Sequence, residues 1–269
     1  MTSEKQIWTN LCLRMQAWNL NWKEEVASTS VVHQLKKRQS GIKFTDNDIF
    51  EGILLGILSN NTDWRKIKKL QNELKYKFNN FDLKLYSENS EEYITDTIVP
   101  WFIGNKSGSL TLKKDLHNLI YTSKILSNYS NEYGSADQYF TNALAESNND
   151  VIELAILIGT NTKWKLKGFG VPLAAEALRN IGYNISKPDR HILRAVGSLK
   201  LVNFEKWNNT TERNAPPPTI SNIRKAMIAV DKLAKENNEE TTFVDSVIWT
   251  ACAKGGAWLT NEELIKIII

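Results

Sequence analysis

Residues 166–192 read LKGFGVPLAAEALRNIGYNISKPDRHI and join a glycine turn to an acidic helix start. Leu166-Lys167-Gly168-Phe169-Gly170 is a tight turn between two helices, because glycine enters φ > 0 freely and lets backbone approach backbone or phosphate closely. Leu173, Ala174, Ala177, Leu178 and Ile181 then recur at helical spacing. Gly182 stands just beyond them, where a left-handed residue ends a helix. The chain continues through residues 183–187, and Pro188-Asp189 opens the next helix, aspartate being a favoured N-cap. Asp189 lies nineteen residues after Gly170.

Upstream, residues 48–59 carry Ile49, Phe50, Ile53, Leu54, Leu55, Ile57 and Leu58. A helix this apolar on most faces is a buried one. It runs into Asn60-Asn61-Thr62-Asp63-Trp64. Asparagine tolerates the left-handed region, so Asn60 and Asn61 read as a helix end and turn. Their amides also carry both a donor and an acceptor, which suits them to pair with whatever a ligand presents.

The remainder reads as almost all helical. Ile7, Leu11, Met15, Trp18 and Trp22 give an amphipathic N-terminal helix over residues 6–26. Further helices are expected near 31–39, 63–78, 91–98, 109–129, 136–146, 149–159, 189–199, 219–237, 242–253 and 260–268. No β-branched run alternates with a hairpin turn, so no sheet is expected. Residues 208–218 end in three prolines and read as a polyproline-like surface connection. With 42% hydrophobic and 24% charged residues over 269, the chain can bury one or two cores and is not of disordered composition. A net charge of +4 is compatible with an anionic partner without requiring one. Lysine is dense at residues 66–69 and at Lys163, Lys165 and Lys167, the second group abutting the glycine turn. No secretory pattern opens the sequence and no apolar run reaches membrane-span length, which points to the cytoplasm.

The glycine turn and the spaced aspartate together resemble the helix-hairpin-helix (HhH-GPD) superfamily of DNA glycosylases. There a Leu-x-Gly-Val/Phe-Gly hairpin is followed at about this distance by an essential aspartate, often as Asp-x-His-hydrophobic-x-Arg. Here that context is Asp189-Arg190-His191-Ile192-Leu193-Arg194. The Asn60-Asn61 turn resembles the family's Gln/Asn-rich turn, from which an amide enters the space left by an extruded base. Most relatives carry glutamine at the position of Asn60, so the reach here is shorter.

The resemblance implies an all-α, two-lobed fold with the active site in the interlobe cleft and the hairpin at its mouth. Residues 44–199 would form the lobe with the wedge turn, hairpin and catalytic Asp189, and residues 1–43 with 200–269 the other. The roughly forty residues before the apolar helix leave no room for the sheet domain that opens some relatives. Two cysteines, Cys12 and Cys252, are too few for the four-thiolate iron–sulfur cluster of others, and neither cofactor nor metal is expected. Bifunctional relatives place a nucleophilic lysine two residues after the second hairpin glycine; this chain has Pro172. The expectation is therefore a monofunctional enzyme that uses water and leaves an intact abasic site. Trp64, Trp101, Trp164, Tyr183 and Trp249 are candidates to line the base pocket. The partner would be duplex DNA holding a damaged or modified base, met by a monomer on nucleoid DNA. The substrate expected first is an alkylated purine such as 3-methyladenine. The alternative is a hypermodified cytosine of phage DNA, such as glucosylated hydroxymethylcytosine, in antiviral defence, for which Asn161-Thr162-Lys163-Trp164 offers a polar approach with a stacking ring. A non-catalytic hairpin module for DNA binding would keep the glycines and lysines but would not need Asp189.

Overall fold

A computed structural model describes residues 3–60, 62–204 and 218–268. Asn61 and residues 208–217 of the proline-rich connection lie outside them. Every regular element among the described residues is helical and none is a strand. In chain order these are α1 (Glu4–Trp18), α2 (Trp22–Ala27), α3 (Ser30–Gln39), α4 (Asp46–Leu58), α5 (Trp64–Lys69), α6 (Gln71–Lys77) and α7 (Leu83–Ser87). There follow α8 (Glu91–Tyr93), α9 (Val99–Gly104), α10 (Leu112–Tyr133), α11 (Asp137–Glu146), α12 (Val151–Gly159), α13 (Val171–Asn180), α14 (Arg190–Ser198), α15 (Ile220–Glu236), α16 (Thr241–Cys252) and α17 (Asn261–Lys266).

Local chemistry explains where the elements depart from the periodicity. The expected 6–26 helix breaks at residues 19–21, where Asn19 Oδ1 accepts the Asn21 amide and so diverts the backbone from helical bonding. Residues 91–104 continue through a π-helical stretch, Ile94–Ile98, into α9, where the expectation ended at 98. Pro100 sits in the first turn of α9, where its missing N–H removes no helical bond. Asp82 caps α7, which has no counterpart among the expected elements; its carboxylate accepts the Leu85 amide.

The chain divides into two compact units, residues 38–181 and residues 1–37 with 182–269. The boundaries differ from 43/44 and 199/200, and the second difference moves Asp189 into the unit of the termini. The reason is local. Thr242 on α16 receives the Ile185 amide and gives its own amide to Asn184, while Asp245 accepts the Lys187 amide. Ile192, Leu193 and Val196 of α14 then join Leu11, Met15, Val230, Leu233, Val244 and Val247 in one apolar core.

In unit 38–181, α4 packs against α13 and α10. A Cβ at Gly52 would fall 2.4 Å from Ile181 Cγ2, and one at Gly56 would lie 3.0 Å from the Ala177 Cβ. The two glycines therefore let α4 and α13 touch backbone to backbone. Because Gly52 meets Ile181 and Gly56 meets Ala177, the helices run antiparallel. The C-terminal end of α4 and the N-terminal end of α13 thus lie at the same end of the pair.

Candidate functional site

That antiparallel crossing brings together two landmarks far apart in sequence, the Asn60 turn after α4 and the glycine turn before α13. The glycine turn is also pinned from its other side. A Cβ on Gly159, the last residue of α12, would sit 2.5 Å from the Val171 nitrogen, so α12 ends directly against the start of α13.

The two hairpin glycines have different reasons to be glycine. Gly168 has φ +90°, and a Cβ there would lie 2.9 Å from the Asn118 Cβ, so both conformation and space demand it. Gly170 has an ordinary φ of −90° and caps α13. A Cβ there would meet only Pro172 Cδ, at 3.9 Å. Of the two glycines able to take φ > 0, only Gly168 does so, and packing among the described residues leaves the exposed Gly170 free to be another residue.

The lysines around the turn also separate. Lys165 Nζ donates to the Gly159 carbonyl at 2.7 Å and to the Phe169 carbonyl, bracing the hairpin from inside. Burial lowers its pKa below the ordinary lysine range. Lys163 pairs with Glu146. Lys167 stays exposed, its Nζ 3.4 Å from the centroid of the Tyr121 ring. Leu166 and Phe169 are buried anchors. Pro172 occupies the first turn of α13, where it offers no side-chain amine.

Trp164 is not a stacking platform. It is buried, its indole N–H donates to Glu146, its carbonyl accepts the Tyr139 hydroxyl at 2.7 Å, and its ring meets Tyr139 edge-on at 5.2 Å. Thr162 is engaged as well, donating to the Leu157 carbonyl and accepting the Trp164 amide. Three of the four residues of the polar approach, Thr162, Lys163 and Trp164, are therefore occupied within the unit. Trp64 and Trp101 are each half-buried, Trp101 edge-on to Phe102. Asn60 Nδ2 donates to Asp115 Oδ2 at 2.9 Å and to Thr111 Oγ1 at 3.2 Å. Its amide thus ties the turn to the start of α10, a role inside the protein that the sequence motif does not reveal. Asn61, the other wedge candidate, lies outside the described residues.

In the unit of the termini, Asp189 is the N-cap of α14. Its Oδ1 accepts the amides of His191 at 2.8 Å and Ile192 at 3.2 Å, while Oδ2 has no donor among the described residues. Asp189 is half-buried. His191 lies beside it, with its ring edge-on to half-buried Trp249 at a centroid distance of 6.1 Å. Burial pushes the His191 pKa below its usual value, against the pull of the Asp189 carboxylate. Arg194 is a scaffold residue. Its guanidinium donates to the carbonyls of Leu259 and Cys252 and to Asn261 Oδ1, tying α14 to the C-terminal end of α16 and the start of α17. Tyr183 is buried, and its carbonyl accepts the Thr242 hydroxyl. Burial pushes the thiol pKa of Cys12 and of Cys252 up to about 11, so neither is a thiolate nucleophile near neutral pH.

Among the described residues, no group of three or more His, Cys, Asp or Glu side chains is arranged to hold a metal ion. No described helix is long and apolar enough to cross a membrane. Comparison of the chain with models of protein families, with curated proteins and with solved structures found no match.

Proposed function

We propose that the chain is a monofunctional DNA glycosylase acting on an alkylated purine such as 3-methyladenine. The observation that carries this reading is the Asp189 carboxylate. One oxygen accepts two backbone amides and the other has no donor among the described residues, so the group is oriented with one oxygen still open. The hairpin supports it. Gly170 has no structural need to be glycine, and a bare backbone at a helix start is what close approach to a phosphate requires.

Cleavage of an N-glycosidic bond develops positive charge on the sugar. A fixed carboxylate stabilises that charge, and Asp189 Oδ2 is the oxygen available to do so and to orient the attacking water. The water oxygen bonds to the anomeric carbon as the carbon–nitrogen bond breaks, and its proton passes to Asp189 or to solvent. The base must first leave the stack for the sugar to be reached. Burial disfavours the charged form of His191, which limits positive charge opposing the developing cation.

A cationic alkylated purine suits these groups because it departs as a neutral base and needs no proton from the enzyme. The electron-rich ring of half-buried Trp249, which lies edge-on to His191, would attract such a cation. A glycosylated cytosine would have used the Thr162–Trp164 approach, whose groups are already engaged. The test is incubation of the full chain with alkylated duplex, followed by mass spectrometry of released bases and alkali treatment of the strand. Release of methylated adenine with alkali-labile sites is expected. No release, or release only from glucosylated phage DNA, overturns the reading.

A further inference from the structure

Beside the hairpin, within unit 38–181, α10 presents an open depression of about 420 Å³ lined by Lys113, Lys114, His117, Asn118, Tyr121 and the hairpin's Lys167. One carboxylate, Glu91, borders it, and that group is already engaged. It accepts the Tyr121 hydroxyl at 2.9 Å and faces His117 Nδ1 at 3.4 Å, while His117 Nε2 meets Thr95 Oγ1 at 3.0 Å. Lys113 and Lys114 are both exposed, and neither has an acidic partner among the described residues. Lys124 lies further along the same face, over the Tyr121 ring. From Lys113 to Lys124 the helix advances roughly 16 Å. A nucleic-acid strand carries a charge about every 3.4 Å along its axis, so this face is long enough to meet more than one phosphate.

The face is continuous with the hairpin. Thr122 Oγ1 donates to the Lys167 carbonyl at 3.1 Å, Gly168 lies against Asn118, and the Lys167 ammonium rests on Tyr121. We infer that this face of α10 is a second backbone-binding surface, on which Lys113 and Lys114 take phosphates of duplex DNA flanking the hairpin contact. The inference rests on the nucleic-acid reading above, but it concerns binding and not base removal. The occupant is a polyanion because the lining sets three lysines against one carboxylate, Glu91, which is engaged, and a duplex because the surface extends from a turn built for backbone approach.

The experiment measures binding of an undamaged duplex of about 20 base pairs to the full chain by fluorescence anisotropy, from about 50 to 200 mM salt. The chains compared are wild type, K113Q/K114Q and K68Q/K69Q. The last removes the same charge from α5 of the same unit. Each lost phosphate contact lowers the slope of log affinity against log salt by about one, so K113Q/K114Q should lower it by about two and weaken binding at least tenfold at the lowest salt. K68Q/K69Q should leave the slope near wild type. An unchanged slope in K113Q/K114Q, or an equal fall in K68Q/K69Q, overturns the inference. So does displacement of the duplex by polyglutamate at equal charge, which would mark a surface for acidic proteins. Failure to bind any duplex removes both proposals. The expected slopes without release of any base from alkylated DNA would leave this surface standing and remove the glycosylase reading.

Discussion

Asp189 Oδ1 accepts the backbone N–H of His191 at 2.8 Å, so one oxygen of the carboxylate serves the helix and the geometry of the other is set by it. The same contact holds the His191 backbone next to the carboxylate, and burial disfavours the charged form of its ring. Cap and candidate catalytic group are therefore one residue, and substitutions must be chosen to separate the two roles.

Asp189→Asn separates them. Asparagine caps a helix about as well as aspartate, and its single oxygen can replace Oδ1. The melting temperature should change little and duplex binding should stay within a few fold. Base release should fall by at least about a hundredfold, a loss on the order of 3 kcal/mol in the transition state. Near-normal turnover would return Asp189 to capping alone.

His191 should titrate below 6.5, the value of an unperturbed imidazole, because burial disfavours its charged form. Below about that pH the unfolded chain binds a proton that the folded one resists. Its contribution to stability is therefore present above the unfolded pKa and is lost as pH falls through the folded value. In Asp189→Asn the carboxylate that raises the His191 pKa is gone, so the imidazole should titrate lower still. NMR titration of the ring in both proteins measures the two shifts; an upward shift on substitution would contradict the arrangement.

Borohydride should trap no covalent complex between the chain and substrate DNA. Pro172 has no amine to form a Schiff base. The nearby ammonium of lowered pKa, Lys165, is held by the Gly159 and Phe169 carbonyls. A trapped adduct that disappears in Lys165→Gln or Lys167→Gln would show that one of these side chains reaches the sugar.

Gly168→Ala and Gly170→Ala should behave oppositely. The first introduces a Cβ at φ +90° against Asn118 and should lower stability by about 1–3 kcal/mol. The second should leave the melt unchanged and weaken binding to damaged and undamaged duplex alike, since phosphate contacts position without reading sequence. Comparing thermal melts with duplex titrations distinguishes them. Unimpaired binding by Gly170→Ala would remove the reason offered for that glycine.

Local and periodic features were legible in the chain itself. The Gly168 turn, the left-handed Gly182 after α13 and the Asp189 cap each depend on a few consecutive residues. So do the helical stripes, whose spacing follows from 3.6 residues per turn. Gly52, Gly56 and Gly159 carried no comparable signal, because a glycine inside an apolar helix looks like a propensity cost until its neighbour across the contact is known. Lys113 and Lys114 likewise carry no local signal, because two adjacent lysines on a helix gain meaning only from the hairpin packed beside them.

Helical elements, a glycine hairpin and a carboxylate at a helix start can all be read from the chain alone, because backbone conformation answers to near neighbours. Tertiary structure decided which elements belong together and which side chains remain available. It assigned Asp189 to the unit of the termini through Asn184, Thr242 and Asp245. It tied Asn60 to Asp115, turned Trp164 inward and left Lys167 on Tyr121. The physical reason is that a polar or aromatic side chain takes the best partner within reach, and reach is set by packing, which joins Asn60 to Asp115 across 55 positions and Asn184 to Thr242 across 58.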